Sequence, residues 1–266
     1  TALSGQDVDL LDTDAIRAAI MAAPESSVVL NAAAYTAVDQ AESDVETCRA
    51  VNATAPTVMA QACKARGFVF LHLSTDYVFD GTKATAYLED DLTNPQGVYG
   101  ATKLEGEAGV LDAHDRVVIL RTAWVYSRHG KNFLKTMLRL GAERDALGVV
   151  DDQQGCPTHA ADIATALLVA ADQLTPSDDR YGLYNFAGQG GASWADFADY
   201  IFQLQLARWG RRPVVNRLTT ADYPTPAKRP ANSMLSSDRF SATFGYMAPP
   251  WTESVAMVVG QLEDEN

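Results

Sequence analysis

Short apolar runs alternate along the chain with longer stretches whose apolar residues recur every three or four positions. The runs at 28–34 (Val-Val-Leu-Asn-Ala-Ala-Ala), 68–73 (Phe-Val-Phe-Leu-His-Leu) and 117–121 (Val-Val-Ile-Leu-Arg) lack the polar alternation of a half-exposed strand. They read as parallel strands buried on both faces. Helical periodicity predicts a helix over 13–23, opened by Asp12 or Thr13, with Ile16, Ile20 and Met21 on one face. A second is predicted over 41–66, bent or restarted between Asn52 and Pro56, where proline lacks an inner-turn amide. Asn94 and Pro95 form a start signal for a third, running to about 111. Residues 1–3 read as the end of a strand. Beyond 125 the alternation loosens. It predicts helices over 131–142, 160–173, 194–206, 236–244 and 251–262, and extended segments over 147–150, 183–187 and 213–216. Pro224, Pro226 and Pro230 mark an irregular loop. Strands alternating with helices predict an α/β fold with a doubly wound parallel sheet.

Composition narrows the function classes. The chain has 266 residues, 47% of them hydrophobic, enough for a sizeable core. Its formal net charge of −13 argues against nucleic acid or an anionic membrane as the main partner; solubility is the simpler meaning of the acid excess. Cys48, Cys63 and Cys156 lie far apart and are odd in number, and the four histidines form no ligand-like cluster. A reducing, cytoplasmic compartment and no structural metal are expected. No apolar run approaches the ~18–20 residues of a membrane span.

The candidate chemistry centres on Tyr99 and Lys103. On a helix they stand at i and i+4, one above the other. A free phenol titrates near pKa ~10, and a neighbouring positive charge lowers that value. The pair is then a usable acid/base group. Alone it is weak evidence, because a tyrosine leaning on a lysine stem is a common surface arrangement. Ser74, Thr75 and Asp76 add context. They follow the 68–73 strand, and ligands of open α/β sheets sit beyond the carboxyl ends of strands. Ala32, Ala33 and Ala34 end the first run in small residues, which suit either tight helix packing or the approach of a flat ligand.

The ordered motifs go further. They are 31–39 (Asn-Ala-Ala-Ala-Tyr-Thr-Ala-Val-Asp), 74–81 (Ser-Thr-Asp-Tyr-Val-Phe-Asp-Gly), 99–107 (Tyr-Gly-Ala-Thr-Lys-Leu-Glu-Gly-Glu) and 121–126 (Arg-Thr-Ala-Trp-Val-Tyr). Then come 151–158 (Asp-Asp-Gln-Gln-Gly-Cys-Pro-Thr) and 229–233 (Arg-Pro-Ala-Asn-Ser). Over nearly its whole length the chain resembles the dTDP-4-dehydrorhamnose reductases, a family of extended short-chain dehydrogenases/reductases. The resemblance implies a Rossmann-like sheet with a smaller C-terminal substrate-binding domain. Residues 1–125 plus 160–187 would hold the dinucleotide, and 126–158 plus 188–266 the substrate. It implies reduction of the 4-keto group of dTDP-4-dehydro-L-rhamnose by NADPH or NADH. Thr75 would hydrogen bond the keto oxygen, Tyr99 would donate the proton, and Lys103 would hold the nicotinamide ribose and lower the Tyr99 pKa. Asp9, Leu10, Ala32, Ala33, Ala34 and Leu73 match cofactor-lining positions, and Thr75, Asp76 and Trp124 match sugar-contacting ones. Asn132, Gln154, Arg229 and Asn232 are expected near the nucleotide diphosphate, with Arg229 as the charge partner. The plain structural alternatives are loop capping for Asp76, a partly buried core aromatic for Trp124 and loop hydrogen bonds for these last four. His159 and Cys156 read as structural.

The family opens with a strand and a Gly-x-x-Gly-x-x-Gly turn that sets the cofactor pyrophosphate on a helix N-terminus. Here Gly5 is alone, and Gly188, Gly190 and Gly191 lie far downstream. One strand–helix–strand unit of about 30 residues is therefore expected to be missing, so the chain reads as a fragment or as trimmed at its start; were it the complete polypeptide, badly reduced cofactor affinity would be expected. Two rival readings stay open: a related nucleotide-sugar epimerase, and a non-catalytic reductase-like regulatory subunit. A dehydratase is disfavoured, since Tyr77 follows Asp76 where that chemistry wants a second acid. Some family members are magnesium-linked dimers. A homodimer is compatible with this chain, but the bridging glutamates have no clear counterpart, so no metal is expected.

Overall fold

The computed structural model describes residues 1–175 and 177–264. The main elements in chain order are α1 (Thr13–Met21), β1 (Val28–Asn31), α2 (Ala55–Arg66), β2 (Val69–Thr75), α3 (Val98–Ala113) and β3 (Val117–Thr122). They continue with α4 (Phe133–Glu143), β4 (Ala146–Val150), α5 (Ala160–Gln173), β5 (Gly182–Asn185) and α6 (Trp194–Leu204). β6 (Val214–Leu218), α7 (Asp238–Phe244) and α8 (Trp251–Asp264) complete them.

The larger sheet has the order β1-β2-β3-β5, all parallel, with His72 between Asn31 and Ile119 and Thr75 beside Thr122. Successive residues of a strand point to opposite faces. Phe70, Val117 and Ile119 therefore meet Ile16, Val58, Cys63 and Val110 of α1, α2 and α3 on one side. Leu71, Val118 and Leu120 meet Ile163, Ala166 and Leu167 of α5 and Phe240 and Phe244 of α7 on the other. This is the doubly wound α/β arrangement the apolar runs predict. A second, two-stranded parallel sheet pairs β4 with β6. With α4, α6 and α8 it encloses a separate core of Leu134, Met137, Leu147, Val149, Phe197, Phe202 and Val258.

Local chemistry sets several boundaries. Asp12 caps α1 by accepting from the amides of Asp14 and Ala15, both at 3.0 Å. The expected bend before α2 is a π-helical turn, Ala50–Thr54, which runs directly into α2 with Pro56 in its first turn. Three expectations need correction. Residues 1–3 are not in a strand; Ser4 and Asp7 form a tight turn just after them. β1 ends at Asn31, so Ala32, Ala33 and Ala34 lie beyond it. The Asn31 side chain accepts from the Ala33 amide at 3.0 Å and takes the backbone out of the ladder. α3 starts at Val98, not at Asn94-Pro95. Its first amide is capped from far away in sequence, by Glu42 Oε1 at 2.9 Å.

Candidate active site

β2 ends by presenting Ser74, Thr75 and then Asp76 at its carboxyl edge. The Thr75 hydroxyl donates to Asp76 Oδ1 at 2.9 Å and accepts from the Tyr77 amide at 3.2 Å, which starts a short 3-10 turn. α3 lies alongside, with Tyr99 in its first turn and Lys103 one turn deeper. The close approach requires Gly100. A Cβ there would stand 2.2 Å from the Tyr77 carbonyl oxygen. The Tyr77 and Tyr99 rings meet edge to face, centroids 5.5 Å apart.

A cleft of about 200 Å³ opens at this point, lined by Thr75, Asp76, Tyr77, Tyr99, Trp124 and Val125 with Thr36 and Val38 at its edge. Trp124 forms one wall in an unusual backbone state, at φ 48°. A left-handed conformation is strained for a bulky residue and persists only where packing enforces it. The indole stacks on Trp194 at 3.5 Å and 6°, and Gly155 makes room for it; a Cβ at 155 would lie 2.2 Å from the indole.

Burial governs the electrostatics. Asp76 is 3% exposed, its Oδ2 has no hydrogen-bond partner, and desolvation raises its carboxyl to about 6 against the pull of the Thr75 hydroxyl. Tyr99 is also pushed up by desolvation, with the Thr75 hydroxyl pulling the other way. That direction is opposite to the one expected from Lys103. The lysine is turned into the protein: Nζ donates to the Leu73 carbonyl at 2.6 Å and lies 3.4 Å from His72 Nε2. Desolvation lowers it to about 8. Both groups are moved toward their neutral forms.

The remaining expected residues divide by place. Ala32 and Ala33 are exposed at the carboxyl end of β1, beside the partly buried Ala34. Asp9 accepts from the Leu11 amide, and Leu10 packs on the core under α1. Arg229 reaches the cleft rim, bonding Tyr77 Oη at 3.2 Å and pairing with Asp39 at 2.7 Å. Asn132 caps α4 and donates to the Ser127 carbonyl. Asn232 donates to the carbonyls of Lys83 and Thr85. Gln154 bonds the Asp151 carbonyl at 3.4 Å and pairs through its backbone with Ser193. The polar atoms of these three serve loops.

Sequence reasoning missed a buried network behind the site. Arg121 makes two bonds to Glu107, at 2.9 and 2.6 Å, and Ser74 donates to the same carboxylate. An arginine closing a fully apolar strand demands a buried acid, and Glu107, one helical turn after Lys103, was the signal.

A parallel sheet with helices on both faces, and a tyrosine and lysine one turn apart beside the strand-end threonine, defines a protein of the short-chain dehydrogenase/reductase type. A family model described as RmlD substrate binding domain matches residues 1–263. A dTDP-4-dehydrorhamnose reductase of Sinorhizobium fredii is 47% identical over 243 residues, 91% of this chain and 81% of the relative. The Escherichia coli K12 protein of that name is 40% identical over 88% of this chain and 79% of its own. Among solved structures, a Clostridium acetobutylicum dTDP-4-dehydrorhamnose reductase superposes with a TM-score of 0.91, at 38% identity and over 98% of this chain and 89% of that one. A Bacillus anthracis dTDP-4-dehydrorhamnose reductase in complex with NADP gives 0.89, at 30% identity and over 97% and 89%. The chain belongs to the dTDP-4-dehydrorhamnose reductase family.

Proposed function

We propose that this chain reduces the 4-keto group of dTDP-4-dehydro-L-rhamnose, giving dTDP-L-rhamnose, with NADPH or NADH as cofactor. The observation that carries the reading is one cleft in which Thr75, Tyr99 and Trp124 converge above Lys103, in a chain 47% identical to a named reductase. The site suits a nicotinamide dinucleotide. The small, exposed Ala32 and Ala33 leave the strand end open, and Lys103 stands one helical turn from Tyr99. Ala32, Ala33, Ala34 and Leu73 would line the cofactor, Asp9 and Leu10 its adenine end, and Lys103 its ribose. When bound, the cofactor supplies the hydride.

The protein's own residues handle orientation and the proton. A phenol held above its usual pKa is protonated at neutral pH, the state an acid needs at the start of a reduction. Tyr99 gives that proton to the carbonyl oxygen as it becomes a hydroxyl. Thr75 positions the same oxygen, and Asp76 and Trp124 hold the sugar ring. Of the four residues expected at the diphosphate, Arg229 is the cation; Asn132, Gln154 and Asn232 would contribute through the loops they order. Residues 1–125 plus 160–187 would form the cofactor part and 126–158 plus 188–266 the substrate part. Among the described residues no helix is long and apolar enough to cross a membrane. The three cysteines are free and buried, in keeping with a cytoplasmic enzyme. A homodimer is compatible with this reading.

The test is cofactor oxidation followed at 340 nm with dTDP-4-dehydro-L-rhamnose. Wild type should consume NADPH or NADH in proportion to sugar, and Tyr99→Phe should lose about 10²–10⁴-fold in kcat with cofactor binding retained. No consumption even with the N-terminal Gly-rich unit restored overturns the reductase reading, since an epimerase regenerates its cofactor. Near-normal turnover in Tyr99→Phe overturns the assignment of the acid.

A further inference from the structure

β2 carries a histidine inside an apolar strand, and the mechanism above leaves it without a task. His72 is 1% exposed and Lys103 2%. The neighbours of the ring fix where its proton sits. The Ala33 amide donates to Asn31 Oδ1 at 3.0 Å, which orients the Asn31 side chain. Its amide nitrogen, 3.1 Å from His72 Nδ1, is therefore the donor in that contact. Nδ1 is then the bare nitrogen, and in a neutral ring the proton resides on Nε2. Burial, with Lys103 nearby, keeps the ring neutral against the opposing pull of the Asn31 main chain.

Nε2 lies 3.4 Å from Lys103 Nζ. An N–H pointed at an ammonium sets donor against donor. Pointed at the lone pair of an amine, the same N–H makes a hydrogen bond. We infer that His72, held by Asn31 with its proton on Nε2, hydrogen bonds to the neutral amine of Lys103 and so sets the protonation of the lysine behind Tyr99.

His72 is thus a positioning residue that acts through Lys103, and its effect on turnover rests on the reductase reading. The other groups facing Lys103 pull the opposite way or are already engaged. Glu107 on α3 and Cys48 on the short helix Val45–Arg49 favour the ammonium. Arg121 on β3 is spent on Glu107. Tyr99 stands one turn earlier on α3. The Leu73 carbonyl accepts from either form of the lysine. Burial outweighs Glu107 and Cys48 and leaves Lys103 at about 8, within reach of the neutral amine that the Nε2 proton would favour.

Two measurements test this. In the unmodified chain labelled with ¹⁵N-histidine, the His72 signals should show a bare Nδ1 and a protonated Nε2. The Nε2 signal should move as pH is raised through about 8, and Lys103→Met should abolish that movement. A proton on Nδ1, or an Nε2 signal indifferent to Lys103, overturns the inference whether or not the sugar is a substrate. The second measurement is the pH dependence of kcat in His72→Gln, whose amide can turn its oxygen to the ammonium. Its basic limb should move up by about one pH unit, while the KM for the cofactor stays within twofold. An unmoved limb in a folded variant overturns the inference.

Discussion

Replacing Asp76 by asparagine should change how the stability of this protein depends on pH. The carboxyl titrates near 3.8 when unperturbed and at about 6 in the fold, where it is buried with Oδ2 unpartnered. Between those values the folded state holds a proton that the unfolded state has lost. Stability therefore falls as pH rises through the window and is lowest above it. Each pH unit of difference is worth about 1.4 kcal/mol, so keeping Asp76 ionised inside the fold at pH 7 costs about 3 kcal/mol. Roughly 2 kcal/mol of that develops between pH 4.5 and 7.5. Asparagine does not titrate. Its NH₂, placed where Oδ2 was, carries a desolvation cost of about 1–3 kcal/mol that is the same at every pH. Urea unfolding of both proteins at pH 4.5 and 7.5 separates the two effects. The expected result is a relative gain of about 2 kcal/mol for Asp76→Asn at the higher pH. Parallel pH dependences would refute the reasoning and show that Asp76 is solvated in the cleft.

Two further outcomes follow from the packing. Glu107→Gln leaves the buried Arg121 guanidinium without its charge partner and should lower the unfolding free energy by about 3–5 kcal/mol, read by thermal or urea denaturation; a loss below about 1 kcal/mol would mean that water reaches the pair. Gly155→Ala places a methyl 2.2 Å from the Trp124 indole and should push it off Trp194, raising the KM for the nucleotide sugar about tenfold with an altered tryptophan emission. Unchanged KM and emission would mean that the Trp124 wall takes no part in sugar binding.

Why some features were legible and others not has a physical basis. The central strands were plain because burial on both faces forces unbroken apolar runs, as in Val117 to Leu120. Thr75, Asp76, Tyr99 and Trp124, which share the cleft, were legible because they sit in short motifs at strand and helix ends. The start of α3 was not, because its cap comes from Glu42, 56 residues away in sequence. Nor was the end of β1, where one side-chain hydrogen bond from Asn31 competes with the ladder. The direction of the Tyr99 shift was misjudged for a similar reason. Spacing on a helix places Lys103 under Tyr99, but only the fold shows that the Leu73 carbonyl and His72 turn Nζ inward. Asn132 and Asn232 read as polar groups awaiting a ligand, while in three dimensions they stitch loops together.

The two sheets are interleaved along the chain, and that governs how the protein is born. β4 emerges from a ribosome before β5 has closed the larger sheet, and its partner β6 starts at Val214, paired with Ala146, which is 214 − 146 = 68 residues later. At about 5–20 residues per second, Leu147 and Val149 wait on the order of ten seconds for that partner. During the wait an unpaired apolar strand is exposed on a nascent chain in which β1, β2, β3 and β5 can already be paired. The smaller sheet therefore forms after the larger one, and a stall before residue 218 leaves a chain with Tyr99 and Lys103 in place but one wall of its second core unbuilt.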